Sequence, residues 1–260
     1  MLPTPWPSRY AMCIPRRRFP CRRHPALEVS LSLLRNMVWA VLPLVVAPGT
    51  YFAAGLDRDA SAVAQIRFTY ENPKLQPPKY AVTVGEDGNG HFRSEAGGPP
   101  PADGESMPSE AQDRPIHISR ALRESIFANA RKSKLFAVAC DDGAKNIAYQ
   151  GTKTLAYEGP EGQGSCTYNW SKLSQIDKLT DQFEAIAATL DEGSKLQRQY
   201  EHGRLSLDTE LELLDQMVRD GRAIEVENIA PLLRTIAGDD AVLQRVQRRA
   251  RALLQAVKED

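Results

Sequence analysis

From residue 63 the chain alternates cleanly. Ala64, Ile66, Phe68 and Tyr70 fall on one side of an extended backbone, and Gln65, Arg67, Thr69 and Glu71 fall on the other. Period two with one apolar side predicts a strand that buries one face. Pro73, Pro77 and Pro78 make Asn72 to Lys79 a rigid extended loop, because proline fixes its own φ and restricts the residue before it. Tyr80, Val82 and Val84 resume the alternation, and Glu86-Asp87-Gly88-Asn89-Gly90 is turn chemistry that sends His91 to Glu95 back as a hairpin partner. Residues 96–114 carry almost no large apolar side chains, so burial cannot offset the entropy of ordering and a mobile loop is expected. Ser119 then offers an N-cap to a helix with Leu122, Ile126, Phe127 and Ala130 on one stripe. After Asp141-Asp142-Gly143 three short strands are predicted, Asn146 to Gln150, Lys153 to Tyr157 and Ser165 to Trp170. The last two are joined by the glycine-rich turn Glu158 to Gly164.

Beyond Trp170 the period changes. Ser174-Gln175-Ile176-Asp177 has the form of a capping box, and Ile176, Leu179, Phe183, Ile186 and Leu190 then step by three and four. A second helix is expected around Leu207, Leu211, Leu214 and Val218, stopped by Gly221. A short third opens at Asn228 and Pro231 and ends at Gly238. Asp239 is the expected cap of a fourth, with Leu243, Val246, Ala250, Leu253 and Val257 on its stripe. Short joints between four helices suggest an antiparallel layer. The fold class expected is therefore α+β: a small antiparallel sheet (hairpin, helix, hairpin) over residues 63–172, followed by an all-helical region over 173–260.

The first 62 residues are of another kind. Met37 to Ala54 contains no charge and follows Arg35 and a string of earlier arginines. Pro43, Pro48 and Gly49 argue against a buried core helix, and Ala60-Ser61-Ala62 supplies the small-x-small pattern of signal cleavage, with Ala62 as the last residue removed. The 18 uncharged residues lie near the short end of the roughly 17–25 that span a bilayer. Cleavage at Ala62 and retention of residues 37–54 as an anchor both remain open. Residues 1–28 are rich in proline and arginine without any period, and we read the true start as lying nearer Leu31. Arg16-Arg17-Arg18-Phe19 matches a twin-arginine signal only superficially, since the apolar run begins too far downstream.

Charge sharpens this division. The chain is neutral overall, yet residues 1–62 hold eight arginines against three carboxylates, so residues 63–260 carry an equal acidic excess. An acidic body excludes nucleic acid as its partner, while a basic head suits arginines held on the cytoplasmic side of a membrane. The expected location is outside the cytoplasm, periplasmic or anchored to the membrane by residues 37–54.

Candidate chemistry is sparse. His24, His91, His117 and His202 have no second ligand at metal spacing, so no metal is expected. No serine sits in a hydrolase elbow, and Gly151-Thr152-Lys153-Thr154 lacks the spacing of a phosphate loop. Gly159, Gly162 and Gly164 belong to a hairpin turn rather than a dinucleotide site, so no cofactor is expected. Asp87-Gly88-Asn89-Gly90 is too short for a calcium loop, and the sequon Asn169-Trp170-Ser171 is a chance tripeptide behind a bacterial leader. Cys140 and Cys166 are the only cysteines after the leader. In an oxidising compartment a disulfide between them is the better use than a Cys–His nucleophile, two reduced apolar fillers being the alternative. Arg245, Arg248, Arg249 and Arg251 form a basic cluster that could meet anionic lipid or an acidic partner, but a solvated face paired with the preceding acidic helices is the simpler reading.

Three stretches carry a resemblance: Phe68 to Tyr80, Tyr149 to Leu155 and Cys166 to Ser171. They resemble an uncharacterised family of exported bacterial proteins with no assigned function. The resemblance runs from about residue 63 to near the C-terminus and implies export and an α+β fold, without catalytic or binding residues. Together these readings predict a non-enzymatic binding or scaffolding protein of the envelope, its partner an unknown protein or the membrane surface. An exported hydrolase using Asp141 and Asp142 is the alternative.

Overall fold

The computed structural model describes residues 63–97, 108–141, 143 and 147–256. The leader, with Ala62 and the apolar segment 37–54, lies outside the described residues, as does Asp142. Six strands form one sheet: β1 (Gln65–Glu71), β2 (Lys79–Gly85), β3 (Asn89–Ser94), β4 (Gln112–His117), β5 (Thr152–Gly159) and β6 (Gly162–Tyr168). Their order is β4-β3-β2-β1-β5-β6, with every neighbouring pair antiparallel. The first four strands are a meander. Helix α1 (Arg120–Lys132) then carries the chain to the far side of β1, where β5 and β6 add a hairpin.

The period-two pattern sets the faces. Ile66, Phe68, Tyr70, Val82, Val84, Phe92, Leu155, Tyr157, Cys166 and Tyr168 are buried on one face. Arg67, His91 and Thr167 on the opposite face are exposed, and the Thr154 and Thr167 hydroxyls meet there at 3.0 Å. The buried face is covered by α1, capped by Ser119 Oγ accepting from the Leu122 N–H, and by the first half of α2 (Ser174–His202). Phe183 lies parallel to Phe68 with ring centroids 5.3 Å apart.

At 29 residues α2 is about 43 Å long. Its first half completes the sheet's core through Ile176, Leu179, Phe183, Ile186 and Leu190. Farther along, Leu196 belongs to a second core shared with α3 (Leu207–Arg219), α4 (Ala230–Gly238) and α5 (Gln244–Ala256). Gly193 lies where the two parts meet, and a Cβ there would stand 2.5 Å from Ile229 Cγ2, so only glycine permits this approach.

Four local expectations are corrected. Gln112 to Arg114, read as part of a mobile loop, belong to β4. This edge strand offers the core only Ile116, and its Pro115 is tolerated because an edge needs no second ladder. The strand expected over residues 146–150 does not form: residues 147–150 are irregular and are held by Asn169, whose Oδ1 accepts from Gln150 N–H and whose Nδ2 donates to the Ala148 carbonyl. Ser174 is the first helical residue of α2 and not its cap; Leu173 holds that position without a side-chain bond. Asp239 builds a turn ahead of α5, its carboxylate accepting from Ala241 N–H and its carbonyl from Val242 N–H.

Candidate functional site

The end of the sheet that carries Tyr70 is built from aromatics placed by register. Tyr70 on β1 pairs with Tyr80 on β2, and Val82 pairs with Phe92 on β3. The two tyrosine rings stack with centroids 5.2 Å apart, and Phe92 lies 6.2 Å from Tyr80. The proline loop between β1 and β2 folds over this end. Asn72 closes it, its N–H donating to the Pro78 carbonyl at 2.8 Å and its Oδ1 accepting from Lys74 N–H at 3.1 Å. Leu75, Gln76 and Pro77 are thereby presented as one wall.

The opposite wall is α2. Glu184, Ala187, Ala188 and Asp191 recur at three- and four-residue steps and therefore share one helix face. Tyr70, Tyr80 and Phe92 with Ala187 and Ala188 line an open hollow of about 240 Å³, to which Glu184 and Asp191, about two helical turns apart on α2, add two carboxylates. The Tyr70 hydroxyl is used, donating to the Gln150 carbonyl at 2.7 Å. The Tyr80 hydroxyl, by contrast, makes no hydrogen bond to another described residue. Burial, reinforced by Glu184, raises its pKa well above the ordinary phenol value.

Glu184 also borders a second hollow of about 170 Å³, lined by Gln150, Lys153, Tyr168, Asp177, Thr180 and Asp181 among others. Lys153 occupies an inward position of β5 where the alternation would place an apolar residue, and it is 6% exposed. Its ammonium lies 3.6 Å from Glu184, 3.5 Å from the Asn169 carbonyl and 5.9 Å from the centre of the Tyr70 ring. Burial raises the Glu184 pKa despite that lysine, and burial together with the like charge of Asp177 raises that of Asp181. At the other end Asp191 is held by Lys195 at 3.0 Å, which also reaches Glu192 at 2.7 Å.

None of these residues was singled out from the sequence as a site. Two signals were there: a lysine at an inward parity of β5, and a row of acids at positions 177, 181, 184 and 191 bordering the apolar stripe of α2.

The residues that were singled out are elsewhere and mostly occupied. Cys140 and Cys166 are joined as a disulfide with Cα atoms 5.8 Å apart, so neither serves as a Cys–His nucleophile while oxidised. Asp141, the hydrolase candidate, fastens a loop: its two oxygens accept from the Asn169 and Gly143 N–H groups, which lowers its pKa. Gly151 adopts a φ of +110°, and a Cβ there would fall 2.7 Å from the Tyr70 ring, so its role is to let the loop pass that ring. His91 meets Asp113 at 2.9 Å. Arg245 and Arg249 pair with Asp208, Arg249 also reaches Glu212, and Arg251 donates to the Ala237 carbonyl, so most of the basic cluster is spent on its own helices. Among the described residues no group of three His, Cys, Asp or Glu side chains could hold a metal ion, and no helix is long and apolar enough to cross a membrane. No protein-family model matches this chain, and no curated protein matches it.

Proposed function

We propose that this is an exported, non-enzymatic binding protein whose ligand site is the hollow between α2 and the proline loop. The observation that carries the reading is the hollow itself: Tyr70, Tyr80, Phe92, Ala187 and Ala188 line one open space, and the Tyr80 hydroxyl makes no hydrogen bond to another described residue. Concave, mostly apolar sites with a few polar groups are where small ligands bind. The hydrolase reading is weaker, because both oxygens of Asp141 are engaged by backbone N–H groups. Export is supported by the basic, apolar leader, by the two paired cysteines and by the resemblance of three stretches to exported bacterial proteins.

A fragment screen followed by NMR on the full chain tests the site. Small amphipathic fragments should perturb the signals of Tyr70, Tyr80, Ala187 and Ala188, and Ala188→Trp, which fills the hollow, should abolish the effect. Fragments that map elsewhere, or that bind the tryptophan variant unchanged, would sink the reading. Export is tested separately by joining residues 29–70 to a reporter active only outside the cytoplasm. Activity is expected, and a reporter retained in the cytoplasm would refute it.

A further inference from the structure

The geometry points to a small alkylammonium cation as the ligand of this hollow, a conclusion that rests on the hollow being the binding site. Size is the first argument. About 240 Å³ lies below the roughly 300–1,000 Å³ of sites for drug-sized ligands, which selects a compact head group over a long chain or a large ring system.

Charge is the second argument. The two hollows that share Glu184, with the pairs at their edge, bring together Asp177, Asp181, Glu184, Asp191 and Glu192 against Lys153 and Lys195. Five carboxylates against two ammonium groups leave a clear negative excess, and among the described residues neither Asp177 nor Asp181 has an ion-pair partner. An anion would be repelled. A neutral apolar solute would gain nothing from the excess.

The third argument is the aromatic wall. Ring faces attract cations, most strongly where water is excluded, and Tyr70 already draws the Lys153 ammonium to 5.9 Å from its centre. Tyr80 adds a hydroxyl with no hydrogen bond to another described residue, placed where the charges of Glu184 and Asp191 both reach it. A cation with a short apolar body and one hydroxyl would use all three features: carboxylates for its charge, rings and alanines for its carbon, and the Tyr80 hydroxyl for its polar end.

Choline and its neutral isostere, in which carbon replaces the nitrogen, separate the arguments. Calorimetry on the full chain should show choline binding about tenfold tighter than the isostere, with affinity falling as salt is raised. Asp191→Asn, which leaves Lys195 paired with Glu192, should weaken choline several-fold and leave the isostere unchanged. NMR on the unaltered chain should place choline against Tyr80 and Ala188. A short-chain phosphatidylcholine below its micellar concentration, whose choline oxygen is esterified to phosphate, tests whether the trimethylammonium group is also taken from lipid. Binding of free choline, with or without the lipid, meets the proposal, and binding of the lipid alone would overturn it. Equal binding of choline and isostere would overturn the cation preference and leave the site standing. Choline signals away from Tyr80 would overturn the inference alone. If neither probe nor any screened fragment enters the hollow, both conclusions fall.

Discussion

Asp141 and Asp181 are both exposed carboxylates, and the fold moves them in opposite directions. Asp141 accepts from the Asn169 N–H and the Gly143 N–H, and its pKa falls below the ordinary 3.8. Its contribution to stability is present above that ordinary value and is lost as pH falls through the depressed one. Partial burial and then the like charge of Asp177 raise Asp181 above 3.8, so its ionised form opposes folding at neutral pH. Asp181→Asn should accordingly raise the melting temperature at pH 7. The gain should shrink as pH falls through the raised pKa and vanish below about 3.8. Melting curves between pH 3 and pH 7 decide it, and a gain that persists at pH 3 would mean that charge is not the cause. The Cys140–Cys166 bridge acts at the same scale. Its sequence separation of 26 corresponds to roughly 3–4 kcal/mol on the chain-entropy estimate. Denaturant titration with and without reductant should show a loss of that order, and overlapping curves would leave the bridge without a stabilising role.

Helix α2 shows what a pattern can and cannot reveal about an element. Phe183 is fully buried and lies against Phe68, so Phe183→Ala should cost roughly 3–5 kcal/mol, whereas exposed Lys178→Ala should cost almost nothing. An unmoved denaturation midpoint for Phe183→Ala would show that the helix does not pack on the sheet. The stripe from Ile176 to Leu190 was legible because it is regular and faces one partner. The continuation to His202 was not, since beyond Leu190 the helix turns to a second core through Leu196 and the single stripe ends. Strand β4 was invisible for a related reason: an edge strand with one inward apolar side chain, Ile116, has the composition of a loop, and its register comes from β3. Central strands β1 and β2 were readable because both the pleat and the core act on every second residue.

At the scale of the molecule, the helical part is fastened to the sheet by side chains far apart in sequence. Asn228 donates to the His117 carbonyl and accepts from its N–H, each at 2.8 Å, while Arg114 reaches the Asn228 carbonyl at 2.6 Å. Glu225 accepts from both the N–H and the hydroxyl of Ser119, and the Thr189 hydroxyl donates to the Ile224 carbonyl. The candidate site is assembled across similar distances, with Tyr70 and Asp191 on opposite walls. No local window could display it, although each wall follows from a local rule. The same topology has a mechanical consequence. Among the described residues the first element is β1, which lies inside the sheet with seven register pairs to β2 and seven to β5. A force applied at residue 63 therefore loads two ladders in shear at once, and they must fail together. A pull at the other end would instead peel α5 from its neighbours turn by turn.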